Sequence, residues 1–142
     1  MPNRLITSLI YVSTARPGLA EEDLLAIQTS AQRNNARCGI TGLILFNGFN
    51  FMQCVEGDRA SANECLHRIE LDDRHSGMTV VSHGEISSPQ FSQWRMFGPL
   101  LPVQSELVQA DLDQLLAGDA VTDATRTLFQ SFASLGAKTP GR

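Results

Sequence analysis

Two apolar runs, Gly39–Phe46 and Asn50–Glu56, are joined through Asn47-Gly48. Both turn residues tolerate positive φ, so this pair closes a β-hairpin. The remaining elements can be read outward from that hairpin.

Upstream, Leu5 to Val12 is nearly continuous in β-prone residues and reads as a strand. Leu5, Thr7, Leu9 and Tyr11 face one way; Ile6, Ile10 and Val12 face the other. Both faces are apolar enough to be covered, which suggests an interior strand. Ala15-Arg16-Pro17-Gly18 breaks it. Leu19 to Asn34 reads as a helix, with Glu21, Glu22 and Asp23 in the first turn, where negative charge suits the macrodipole. Leu24, Ile27 and Ala31 form its apolar stripe, and Asn34 and Asn35 are expected to end it.

Downstream, Gly57-Asp58 stops the hairpin, and Asp58 can cap a helix from Arg59 to about Leu71. Ala62, Cys65, Leu66 and Ile69 make its inner face. A strand over Thr79–Ile86 and a short one around Trp94–Phe97 follow. The order β-α-β-β-α-β-β is a split βαβ pattern, an α+β fold of ferredoxin-like type with both helices on one sheet face. Ile6, Ile10, Met52 and Cys54 then need cover on the other face. Two helices beyond Pro102 can supply it, one carrying Leu107, Leu112, Leu115 and Leu116, the other Leu128, Phe129, Phe132 and Leu135. The expected division is a domain over 1–100 and a helical extension over 101–142.

With 142 residues, the chain can bury about two thirds of its surface and needs neither disulfide nor metal. Net charge is −4 with no basic stripe, so nucleic-acid binding has no electrostatic footing. Cys38, Cys54 and Cys65 lack metal-ligand spacing and read as reduced thiols. No apolar stretch is long enough for a membrane span and the first residues lack a signal pattern, so a cytoplasmic location is expected.

A few residues do not fit a plain core. Gln53 lies mid-strand between Phe51 and Val55, where its amide must be buried and partnered. Tyr11 ends the first strand on the face of Leu5 and Leu9. Asn34 and Asn35 either close their helix or turn their amides toward a flat polar ligand between the helices. Trp94 and Met96 share one strand face, with Arg95 pointing away.

Leu9-Ile10-Tyr11-Val12-Ser13, Asn34-Asn35, Gly39-Ile40-Thr41-Gly42, Phe51-Met52-Gln53-Cys54-Val55-Glu56-Gly57, Asp72-Asp73-Arg74-His75 and Trp94-Arg95-Met96 occur in one order. Together they resemble the BLUF family of flavin-using blue-light sensors, over about Arg4 to Leu100. The resemblance implies FAD, or FMN, held non-covalently between the two helices. Asn35 would meet the ring's carbonyl and imide edge with Asn34 close by, and Ile27 and Ile69 would sandwich the ring. Arg68 and Asp72 would meet the ribityl and phosphate portion, His75 would lie near the ring system, and Ser13 belongs to the same binding set.

Tyr11 and Gln53 would be the photoactive pair, with Trp94 and Met96 beside them. The phenol lends an electron and a proton, and the glutamine ends rotated or tautomerised, bonded anew to a flavin carbonyl. Such a protein is a sensor and not an enzyme; it would signal to a separate protein partner or by self-assembly into dimers or larger rings. Two other readings remain on the residues alone. One is an acylphosphatase-like hydrolase using Arg33 and Asn34; the other is a ferredoxin-like interaction module without flavin.

Overall fold

The computed structural model of the chain describes residues 5–97 and 106–137. The elements are β1 (Ile6–Ala15), α1 (Glu21–Cys38), β2 (Thr41–Phe46), β3 (Asn50–Gly57), α2 (Arg59–Glu70), β4 (His75–Ile86), β5 (Trp94–Phe97), α3 (Glu106–Leu116) and α4 (Asp123–Ala137). They form one five-stranded sheet ordered β4-β1-β3-β2-β5. All neighbours are antiparallel except β2 and β5, which run parallel. This is the expected α+β ferredoxin-like order, with β5 added at the free edge of β2.

Two boundaries differ from the sequence reading. Helix α1 continues past Asn34 and Asn35 to Cys38, and Gly39, at φ 70°, ends it. A glycine takes the left-handed cap without a Cβ penalty, so it prevails over the asparagines upstream. The two amides are therefore set on the flank of the last turns. Strand β4 begins at His75 rather than Thr79. Gly77 sits inside it at φ 65°, and its register against β1 shifts between Ile10 and Tyr11 and again between Val12 and Thr14. Such irregularities break the period-two alternation by which a strand start is read.

The sheet separates two apolar layers. On the first face, Leu24 of α1 packs with Ile44, Phe46, Phe51, Trp94 and Met96. Beside it, Ala62 and Cys65 of α2 pack with Leu9, Ile40 and Val55. On the second face, Ile10, Leu43, Leu45, Met52, Cys54 and Phe97 meet Leu112 and Leu116 of α3 and Phe129 and Phe132 of α4. The tail helices thus cover the face that β alternation left bare; the side chains of Leu107 and Leu135 lie outside those described.

One carboxylate is enclosed in this second layer. Glu56 is fully buried and accepts from Thr41 Oγ1 (2.7 Å), the Gln90 N–H (2.8 Å), the Phe91 N–H (3.2 Å) and Gln90 Nε2 (3.1 Å). Gln90 Oε1 in turn accepts the Thr122 N–H at the start of α4 (2.9 Å). Sheet, β4–β5 connection and tail helix meet at this carboxylate. Glu56→Leu strands several buried donors at once, so we expect a loss of about 3 kcal/mol, read as a lower urea midpoint. A midpoint equal to that of the unaltered protein would refute the role assigned to this network.

Candidate functional site

The two clusters on the helix face part around a cavity of about 270 Å³. That is near the lower end of small-molecule pockets and has room for a flat fused ring. Tyr11, Ile44, Phe51 and Gln53 form its sheet side. Helix α1 contributes Ile27, Ser30, Ala31, Asn34 and Asn35, which recur at helical spacing and so share a flank. Helix α2 contributes Cys65, Arg68 and Ile69; the following segment adds Asp72, Arg74 and His75, and β5 adds Trp94. Ile27 and Ile69 supply an apolar side chain from each helix.

Tyr11 and Gln53 are directly opposed in the β1–β3 register. The Tyr11 hydroxyl donates to Gln53 Oε1 at 2.5 Å, with both residues buried. Burial, and then the charges of Cys65 and Asp72, push the phenol far above its ordinary pKa. It therefore keeps its proton throughout the physiological range. With its oxygen engaged, the glutamine presents its NH2 end to other partners.

Two buried donors have no partner among the described residues: Asn35 Nδ2 and Trp94 Nε1. A buried donor without an acceptor costs about 1–3 kcal/mol, so a pair in one cavity marks a site that expects acceptors from outside the chain. Asn35 Oδ1 is already taken by the Cys65 thiol at 3.7 Å. A flat ligand with acceptors along one edge and apolar faces matches this set: edge to the amides, faces to the isoleucines.

The remaining residues divide by what holds them. His75 lies between Ser13 Oγ (2.7 Å from Nδ1) and the Ile69 carbonyl (2.6 Å from Nε2). A carbonyl only accepts, so Nε2 carries the proton and fixes the ring. Asp72 is gripped by Arg74, with Nη2 on Oδ2 at 2.7 Å and Nε on Oδ1 at 2.9 Å. That bond to Arg74 holds the Asp72 carboxyl below its usual pKa. Arg68 is more exposed and lies 4.0 Å from Glu64.

Most of the residues expected from the sequence thus line one cavity, with two exceptions. Ser13 stands behind the wall as the partner of His75, and Met96 is buried in the Trp94 cluster without lining the cavity. Ser30, Ala31, Ile44, Phe51, Cys65 and Arg74 were not singled out as site residues. Helical spacing from Ile27 and Asn35 pointed to the α1 pair, and Arg74 stood inside the Asp72–His75 motif. Arg95 turns to the tail layer, 4.9 Å over the Phe97 ring and 3.8 Å from Asp111 of α3.

The family model described as sensors of blue-light using FAD matches residues 6–97. The chain belongs to the BLUF family. Flavin binding and blue-light sensing characterise BLUF domains, and the cavity described above fits such a cofactor. The chain is 28% identical over 135 residues to the photoactivated adenylate cyclase subunit beta of Euglena longa, covering 95% of this chain and 14% of that protein. The solved BlrB, a BLUF protein in its dark state, matches at TM-score 0.66 and 29% identity, over 94% of this chain and 99% of that one. Klebsiella pneumoniae BlrP1, in a manganese and cy-diGMP complex, matches at TM-score 0.74 and 28% identity, over 93% and 33%.

The chain therefore spans a small part of the cyclase relatives, 14% of the Euglena longa protein, and the BLUF model accounts for residues 6–97 of this chain. Neither competing reading gains support. Arg33 is exposed and lies outside the cavity that Asn34 lines, so the two do not converge on one site. No described helix is long and apolar enough to cross a membrane.

Proposed function

We propose that this BLUF domain seats its flavin ring between Ile27 and Ile69, with Asn35 on the ring's polar edge, and reports blue light through Tyr11 and Gln53. The observation that carries this reading is the buried Tyr11–Gln53 hydrogen bond, set in a cavity that also holds two unpartnered donors. When bound, the flavin supplies blue-light absorption and a strong photo-oxidant. Tyr11 would be the residue that lends that oxidant an electron and its phenol proton, both of which return to it. Gln53 meanwhile exchanges hydrogen-bond partners, by turning over or by tautomerising, and either route leaves the amide neutral.

His75, fixed by Ser13 and Ile69, borders the ring. Asp72, Arg74 and Arg68 sit where a ribityl chain and its phosphate would leave the cavity, and Asn34 flanks Asn35. Trp94 and Met96 carry the change from the Gln53 side into β5. FAD is the expected ligand, and FMN, present in another, metal-free BlrP1 structure, shares the ring that the cavity would take. Residues 1–100 act as the sensor and 101–142 as the output extension, addressing a separate protein partner or a second copy of the chain in the cytoplasm. A single altered hydrogen bond biases such an output by about 1 kcal/mol.

Flavin uptake followed by blue illumination tests this reading. Asn35→Leu removes the edge contact while keeping the volume, so it should weaken flavin binding about tenfold in an equilibrium titration. Unchanged affinity in Asn35→Leu would remove Asn35 from the site.

A further inference from the structure

Asn35 has one amide end engaged and the other bare, and the group at the engaged end is Cys65. Its Sγ lies 3.7 Å from Asn35 Oδ1, across the gap between α2 and α1. Both side chains are buried and both line the cavity, where Asn35 Nδ2 has no partner. An amide offers an acceptor at one end and donors at the other, and a half-turn of its last torsion exchanges them. A thiol proton is better matched to the amide oxygen than to its NH2 group. Burial, the largest influence on this thiol, raises its pKa and keeps the proton in place, although Arg68 acts in the opposite direction.

We propose that Cys65 is a positioning residue: its thiol donates to Asn35 Oδ1 and thereby turns the Asn35 NH2 group toward the flavin. This rests on the flavin reading above and sharpens it. Asn35 then serves as a donor to a ring carbonyl, and its oxygen is not free to accept fully from the imide N–H. The same contact ties the two helices that form the walls of the cavity.

The test compares Cys65→Val, which keeps the shape and loses the donor, with Cys65→Ser, which keeps a donor. Riboflavin, carrying carbon-13 at its carbonyls, is the probe. Cys65→Val should bind it about three- to tenfold more weakly and move a ring carbonyl band in the infrared to higher frequency. Cys65→Ser should hold both near the values of the unaltered protein. A second readout needs no flavin. The S–H stretching band, isolated as the difference between unaltered protein and Cys65→Val, should be lowered by hydrogen bonding and should rise in Asn35→Leu.

Equal behaviour of the valine and serine variants would overturn the proposal, as would an S–H band indifferent to Asn35→Leu. Failure of the underlying reading looks different: the unaltered protein itself would then take up no riboflavin.

Discussion

Gln53→Leu is expected to load flavin and to show no displacement of its visible absorption under blue light. Leucine keeps the volume on β3 between Phe51 and Val55, so packing on the helix face survives. What disappears is an amide able to accept from Tyr11 and to donate elsewhere. With no group to exchange partners, the flavin's carbonyl environment is the same before and after illumination. Tyr11→Phe should give the same spectral silence, since it retains the ring and removes the hydroxyl that donates at 2.5 Å. Light-minus-dark spectra of both variants at matched flavin content check this. A full-sized shift in Gln53→Leu would remove the glutamine from the mechanism.

The largest effect on folding is expected from Gly42→Ala. Gly42 sits on β2 at φ 151°, and a Cβ there would stand 2.0 Å from the Cys54 carbonyl oxygen. That oxygen belongs to the backbone of β3, the strand that carries Gln53, and cannot retreat without opening the β2–β3 ladder. Gly42 is also opposed to Trp94 on the parallel side, so relief in one direction displaces β5. We expect a loss of about 4 kcal/mol or more, or no folded protein at all. Gly84→Ala is the control: a Cβ there meets nothing within 4 Å, so its urea midpoint should stay within about 0.5 kcal/mol. Equal midpoints in the two variants would contradict the account of Gly42.

The sequence made the hairpin and the face alternation legible because both depend on local chemistry. Asn47-Gly48 can hardly be anything but a turn, and Ile10, Met52 and Cys54 are placed by period two alone. The end of α1 was misread because asparagine and glycine both tolerate the left-handed cap, and only the folded chain shows that Gly39 adopts it. The start of β4 was hidden by Gly77 and two register shifts.

At the site, Tyr11 and Gln53 stood out as polar groups on apolar faces, whereas Asn35 read equally as the end of its helix. Cys65 did not stand out, since a thiol at helical spacing looks like packing until its contact with Asn35 is seen. Arg74 was missed for a related reason. Its grip on Asp72 spans two residues and depends on the turn between α2 and β4, which periodicity does not describe. Glu56 gave no sign of its burial, because its donors come from Thr41, Gln90 and Phe91, all distant in sequence.

The measurement that bears most directly on the whole account is the visible spectrum of the flavin-loaded chain, taken in darkness, under blue light, and again after the light is removed. The proposed exchange of partners at Gln53 predicts a small displacement to longer wavelength that reverses in the dark. Folded, flavin-loaded protein whose spectrum is the same in all three conditions would contradict it.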